Sequence, residues 1–209
     1  RPEIIGSKWF ESFLPVSERA QVWALFQQGI QSGELPAHYE NEIVGQGGRI
    51  RRVAWNNAIL RNAQGNIVGV ASLGDDVTER RRAEDADRWL AAVVQSSGDA
   101  IIGNSLSGMI TSWNPGAEAM FGYAANEVIG QNIAMFTPED RQSEQKEIFA
   151  GLAAGNGVRN FETVRLRKDG GRTDVALSIS PIRDRKGTVV GVSAIVRDIT
   201  ERKRMDAAR

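Results

Sequence analysis

The side chains with the plainest chemical purpose in this chain sit in two short stretches, Asp76-Val-Thr-Glu-Arg80 and Asp198-Ile-Thr-Glu-Arg202. In each, an acid ends an apolar run, a threonine hydroxyl stands where a helix N-cap belongs, and a glutamate follows beside the positive end of the helix dipole. Losing such a cap costs about 1 kcal/mol. The chemistry this predicts is mechanical. Asp76, Thr78, Asp198 and Thr200 are read as the residues that pass a distortion from the end of a strand into the start of a helix.

Groups for bond-making and bond-breaking are scarce. The chain has no cysteine, which removes disulfides, thiolate zinc sites, iron–sulfur clusters and thiol nucleophiles. Its single histidine, His38, follows Gly33 and Pro36 and has no second imidazole to define a metal site, so it reads as a surface loop residue. There is no phosphate-binding glycine loop, no nucleophile motif and no oriented carboxylate pair. No catalytic or metal-binding residue is expected, and the chain is not read as an enzyme. Lys+Arg and Asp+Glu both total 26, so formal charge gives no reason to expect nucleic acid or an anionic membrane as partner. No apolar run approaches the ~20 residues that span a bilayer, and no signal peptide is visible. Arg1 is not a natural start, so a longer parent with its own anchor or output domain is expected, with this region in the cytoplasm.

The two exits belong to a repeat. Residues 66–80 recur as 188–202, 122 positions later. Solenoid periods run ~20–50 residues, so this is two copies of one domain of about 100 residues. In the second copy a helix spans Asp85–Ser97, a hairpin pairs Asp99–Asn104 with Met109–Trp113, and Asn114-Pro115 opens a short helix that Gly122 ends. Glu127–Gly130 is a further short helix. Thr137-Pro138 predicts a capped start to a longer one reaching about Ala153. Strands follow at Asn160–Arg167, Thr173–Ile182 and Val189–Asp198. The first copy retains a helix at Val16–Gln31 and strands near Tyr39–Val44, Ile50–Leu60 and Asn66–Asp76, with nothing matching the opening hairpin. Its sheet therefore exposes an edge. Between the copies, Thr78–Ser97 is dense in charge and free of Gly and Pro, which predicts one continuous, stiff helix.

This order of elements resembles the PAS sensory family. The residues that carry it are Ile110-Thr-Ser-Trp-Asn-Pro115, Phe121-Gly-Tyr, Val128-Ile-Gly130, Arg167-Lys-Asp-Gly170 and Asp198-Ile-Thr-Glu-Arg202. The first copy is similar through Ile4-Ile-Gly6, Gly47-Gly48 and Asp76-Val-Thr-Glu-Arg80. The resemblance implies an α+β fold of two PAS-like domains, each an antiparallel sheet, five strands when complete, with short helices on one face. The expected boundaries are a truncated domain at 1–80, a helical linker at 81–97, a complete domain at 98–203 and the start of an outgoing helix at 204–209. It also implies a small-molecule pocket, parallel dimers and a downstream output domain, often a histidine kinase or a diguanylate cyclase. Leu90, Val93 and Val94 supply an apolar stripe through which the linker helices would associate as a homodimer.

The pocket is expected where the inward strand faces meet the helices. Strand alternation puts Val175, Leu177 and Ile179 on one face, with Val192, Ala194 and Val196 alternating likewise. With Trp113, Phe121, Phe136 and Phe149, the residues Leu177, Ile179, Val192 and Ala194 form the expected wall; Trp55 and Asn57 occupy matching positions in the first copy. For strand 160–167 the inward face is ambiguous, Val164 and Leu166 opposing Phe161, Thr163 and Arg165. Asn57 either hydrogen-bonds a ligand or satisfies a strand end or a water. The ligand itself is left unknown. Light-sensing flavin relatives carry an Asn-Cys pair where this chain has Asn132-Ile133, which excludes a cysteinyl-flavin adduct. Haem relatives place a histidine on the long helix near Glu144, and a carboxylate argues against haem. Five tryptophans allow a flavin stacked without a covalent bond, and core packing accounts for the same residues. The rival reading is a ligand-free dimerisation and spacer module.

Overall fold

The computed structural model describes residues 4–153 and 156–208. Its contacts divide it into two units, Arg1–Arg88 and Trp89–Arg209. The first begins with a short helix α1 (Trp9–Ser12) and a longer α2 (Val16–Ser32), followed by strands β1 (His38–Val44), β2 (Ile50–Arg61) and β3 (Ile67–Asp76). These strands form one antiparallel sheet in the order β1-β2-β3. Gly33, at φ 74°, ends α2 and donates its N–H to the Gly29 carbonyl. Gly29 matters for a different reason: a Cβ there would fall 2.5 Å from Leu35 Cδ2 and 3.0 Å from the Glu34 carbonyl oxygen, so a side chain would force the Leu35 side chain to move. Helix α1 has no counterpart in the sequence reading. Four residues are too few to show a helical period, and what holds them is long-range, Trp9 meeting Trp55 edge-on at 5.5 Å.

One residue after β3, helix α3 runs unbroken over Thr78–Ser96. None of its residues is buried, so its regularity rests on local pairing. Arg80 and Arg81 each reach Glu84, Arg82 reaches Glu79 and Arg88 reaches Asp85, pairs worth about 0.2–0.5 kcal/mol apiece in a helix. Trp89, Leu90, Val93 and Val94 remain exposed.

The second unit contains β4 (Ala100–Asn104), β5 (Ile110–Trp113), α4 (Pro115–Phe121), α5 (Ala125–Val128), α6 (Gln142–Ala153), β6 (Val158–Leu166), β7 (Arg172–Arg183), β8 (Val189–Asp198) and α7 (Thr200–Ala207). The sheet order is β5-β4-β8-β7-β6, antiparallel throughout. The last strand thus lies at the centre, between the opening hairpin and the β6–β7 pair. Asn114 caps α4 as expected, accepting from the Ala117 N–H at 3.0 Å, and its oxygen also accepts from Ile101 N–H at 2.8 Å. One side chain therefore ties the helix start to the first strand. Gly116 allows that approach, since a Cβ there would lie 2.4 Å from the Asp99 carbonyl oxygen.

One expectation needs correction, and one strand face left open is settled. Thr137 does not cap the long helix. It closes a 3-10 turn over Ile133–Phe136, and its neighbour Pro138 is extended (ψ 152°), which pushes the start onward through a second 3-10 turn at Glu139–Arg141. The ambiguous strand β6 turns Phe161, Thr163 and Arg165 inward, with Thr163 and Arg165 buried. Polar residues take the core side there because Thr163 donates to Glu144 on α6, while Arg165 donates to the Val164 carbonyl with the Glu144 charge favouring its ionised form. The faces of β7 and β8 are as read: Val175, Leu177, Ile179, Val192, Ala194 and Val196 are all buried.

The sequence repeat is also a repeat of strand register. Val53, Trp55 and Asn57 on β2 pair with Asp76, Gly74 and Ser72 on β3; Val175, Leu177 and Ile179 on β7 pair with Asp198, Val196 and Ala194 on β8. Both ladders slip at the same place, Leu60/Arg61 in one and Ile182/Arg183 in the other. On the other side Tyr39 faces Trp55 as Phe161 faces Leu177. What differs is the outer edge. β8 is covered by β4, and among the described residues β3 has no strand beyond it.

Candidate ligand cavities and strand-to-helix exits

In the second unit, Trp113, Phe121 and Phe136 form a mutually packed trio with ring centroids 4.8–5.5 Å apart. Trp113 belongs to the core beside the cavity rather than to its lining: its indole N–H donates to the Tyr123 carbonyl at 3.1 Å. Phe121, Phe136, Leu177, Ile179, Val192 and Ala194 do line a cavity, as the sequence suggested, but it measures only about 60 Å³. The side chain of Phe149 lies outside the described part of the structure.

Its polar members escaped sequence reasoning. Asn104, Thr137, Gln145 and Arg165 also line the space. The Asn104 amide oxygen is buried and has no hydrogen-bond partner among the described residues. Arg165 is 8% exposed; its guanidinium donates to the Val164 carbonyl at 2.9 Å. Burial lowers the pKa of Arg165, with Glu144 opposing that shift. Burial likewise works against ionising Glu144, yet hydrogen bonds from Thr163 and Arg141 outweigh it and hold the carboxyl below its ordinary range. Glu144 is thus occupied by Thr163 (2.5 Å) and Arg141 (2.6 Å). Nothing in the strand pattern of β6 signals this network, because its partner lies on α6.

The first unit holds a larger hollow, about 420 Å³, lined by Trp55 and Asn57 as expected and also by Trp9, Phe10, Phe26 and Tyr39. Trp55 is fixed by Asn41, which is 3% exposed and accepts the indole N–H at 2.6 Å. Asn57 is satisfied within the fold: its amide donates to the Pro36 carbonyl at 3.1 Å and accepts from the Ser72 hydroxyl at 2.7 Å. His38 is exposed at the first position of β1. Among the described residues no cluster of His, Asp or Glu is placed to hold a metal ion.

The two exits share one design, and it corrects the role given to threonine. Thr200 is the first residue of α7, whose N-cap position is Ile199, without a side-chain cap bond. The acid does the capping. Asp198 accepts from the Thr200 N–H at 2.8 Å, and Asp76 accepts from both the N–H (3.1 Å) and the hydroxyl (2.6 Å) of Thr78. A carboxylate two residues ahead reaches the first free N–H better than a hydroxyl already inside the turn. The threonine hydroxyls instead reach the neighbouring strand: Thr78 accepts from the Arg52 N–H at 2.9 Å, and Thr200 lies 3.3 Å from the Thr173 hydroxyl. Val77 and Ile199, both buried, donate to the Arg52 and Asp174 carbonyls. The first turn of each helix is also clasped by charge. Arg81 grips Glu40 on β1, and Lys203 bonds Asp174 at 2.7 Å. Hydrogen bonds from the Thr78 hydroxyl and N–H, then from Arg51, lower the Asp76 pKa to about 2. For Asp198 burial acts the other way, but Thr200 and Thr173 together keep its carboxyl below its ordinary value.

Comparison with known proteins gives this arrangement a family. Residues 98–201 match the model of the PAS domain. A PAS domain from Colwellia psychrerythraea is 30% identical, with a TM-score of 0.52; the match covers 56% of this chain and 99% of that one. Residues 98–201 are therefore a PAS domain, a sensory rather than catalytic module. Among full-length relatives, the probable diguanylate cyclase DgcE of Escherichia coli is 26% identical over 205 residues, 94% of this chain and 18% of that protein. The sensor protein FixL of Bradyrhizobium diazoefficiens is 25% identical over 158 residues, 71% of this chain and 31% of that protein. The chain spans less than a third of either relative. Among the described residues no helix is long and apolar enough to cross a membrane.

Proposed function

We propose that the chain is a tandem sensory region in which two PAS-type cups act in series. A cytoplasmic cue perceived in a cup shifts its last strand, and the helix leaving that strand carries the shift onward. The single observation that carries this reading is the shared exit: β3 into α3 and β8 into α7 have the same register, the same acid cap and a threonine hydroxyl turned to the adjacent strand, Thr78 to the Arg52 N–H and Thr200 to the Thr173 hydroxyl. The first unit is then the C-terminal part of a PAS-type cup, a reading supported by the DgcE similarity, which extends over 94% of the chain. The output domain belongs elsewhere in the same polypeptide and is of the histidine kinase or diguanylate cyclase kind, as the names of the relatives suggest. Two copies associate through the exposed stripe Leu90, Val93 and Val94 on α3.

The test is a fusion of the chain to a diguanylate cyclase catalytic domain, with product formation as readout. Thr200→Ala and Asp198→Asn are expected to change output at least threefold while the second unit keeps its unfolding midpoint within a few degrees. Unchanged output in both variants ends the coupling mechanism. The small second cavity favours one specific variation, in which the second cup serves as a relay and spacer and takes no ligand of its own.

A further inference from the structure

We propose that Asn156-Gly157, at the junction of α6 and β6, is a site of spontaneous covalent modification, where the asparagine deamidates through a cyclic succinimide. The inference is independent of the sensory reading. Asn followed by Gly occurs once in the chain, and glycine shields a preceding asparagine least because it has no Cβ. Both residues are exposed and belong to neither the helix nor the strand. Among the described residues, Asn156 is tied by one hydrogen bond, from its own N–H to the Gly151 carbonyl at 2.9 Å, and the Gly157 N–H has no partner. Packing also requires the glycine. A Cβ at this position would lie 2.8 Å from the Ile179 carbonyl oxygen and would force the two backbones apart. The close approach to β7 thus keeps the asparagine beside the one residue that leaves it unshielded.

The reaction needs only water. The Gly157 nitrogen loses its proton and attacks the side-chain carbonyl carbon of Asn156; a C–N bond forms and ammonia leaves. Water then opens the imide at either carbonyl, giving aspartate or isoaspartate and one new negative charge. The chain supplies its own comparison in Asp169-Gly170. There the nucleophile is engaged: the Gly170 N–H donates to the Arg167 carbonyl at 3.0 Å, and Asp169 Oδ1 accepts from the Gly171 N–H at 2.8 Å. An ionised carboxylate is also a weaker electrophile than an amide. Isoaspartate adds a methylene to the main chain just ahead of Val158, whose pairing with Ile179 opens the β6–β7 ladder before a shift in register at Phe161. That first pairing is the part of the sheet the modification disturbs.

The whole folded chain is held at mildly alkaline pH in heavy-oxygen water and sampled over days by peptide mapping, beside a control unfolded in urea. The tryptic peptide 147–159 contains no other Asn or Gln. It is expected to lose its amide and take up one heavy oxygen from solvent, with isoaspartate in excess, at a rate that rises with pH and lies within fivefold of the unfolded control. Asn156→Gln should abolish the change, because the larger ring closes slowly. Asp169-Gly170 should isomerise at least tenfold more slowly in the folded chain than in urea. After modification the Val158 and Ile179 amide resonances should shift while those of Ile110–Trp113 stay. A folded chain that remains intact at 147–159 overturns the proposal whether or not its control reacts, and so does an equal change in the Asn156→Gln variant. Isomerisation at Asp169 as fast as deamidation at Asn156 in the folded chain overturns the role given to the free N–H. Unmoved Val158 and Ile179 resonances overturn the structural consequence.

Discussion

At the scale of single residues, the exits work through carboxylates rather than hydroxyls, and that has a pH signature. Asp76 has its pKa lowered from 3.8 to about 2 in the folded chain, by Thr78 first and Arg51 after it. A depressed carboxyl contributes stability that is complete above its unfolded value and is lost as pH falls through its folded value. The expected loss therefore falls between about pH 4 and pH 2, the window set by those two values. A carboxyl-detected NMR titration should place the Asp76 midpoint near its lower limit, and Asp76→Asn should remove that transition; a midpoint near 3.8 would contradict the capping geometry. The aromatic trio makes a second prediction. Phe121 is 1% exposed between Trp113 and Phe136, so Phe121→Ala should destabilise the second unit by about 3–5 kcal/mol in denaturant unfolding. A loss under 1 kcal/mol would mean the trio is not a packed core.

At the scale of elements, α3 is the part whose integrity the proposal most needs. It has no buried side chain, so ion pairs and its acid cap at Asp76 maintain it. Ala86→Pro should break it, because proline removes a backbone donor and clashes with the preceding turn, at about 3 kcal/mol or more. Helicity measured by circular dichroism should fall, while the register of both sheets, read from amide exchange, stays as it is. If output from a fused cyclase survived that break unchanged, α3 would be a tether and not a transmitter. The sheets are defined differently. Each apolar face was legible in β2, β7 and β8 because alternation at period two is local. The face of β6 was not, since its buried Thr163 donates to Glu144 on another element, whose charge also offsets the burial of Arg165.

For the whole molecule, the testable property is association. Trp89, Leu90, Val93 and Val94 are 37–67% exposed along one helix, an apolar stripe of the kind that partner helices cover. Sedimentation of the intact chain should give a dimer at micromolar concentration, and Leu90→Glu with Val94→Glu should shift it to monomer without loss of fold. A wild-type monomer at high concentration would remove the stripe as an interface. Among the described residues no strand pairs with the outer edge of β3, whereas β4 fills the equivalent place beside β8.

The order of the longer elements, the inward faces of β7 and β8, the Asn114 cap and the 122-residue repeat were determined by sequence alone. They rest on contacts between residues a few positions apart, or on a pattern that repetition makes visible. Tertiary structure decided how much space each cup leaves, that α1 exists, that Arg165 is buried and that acids cap the exits. Those depend on which distant side chains arrive in the same place. A local pattern can say which face of a strand turns inward; only packing says whether a cavity remains behind it.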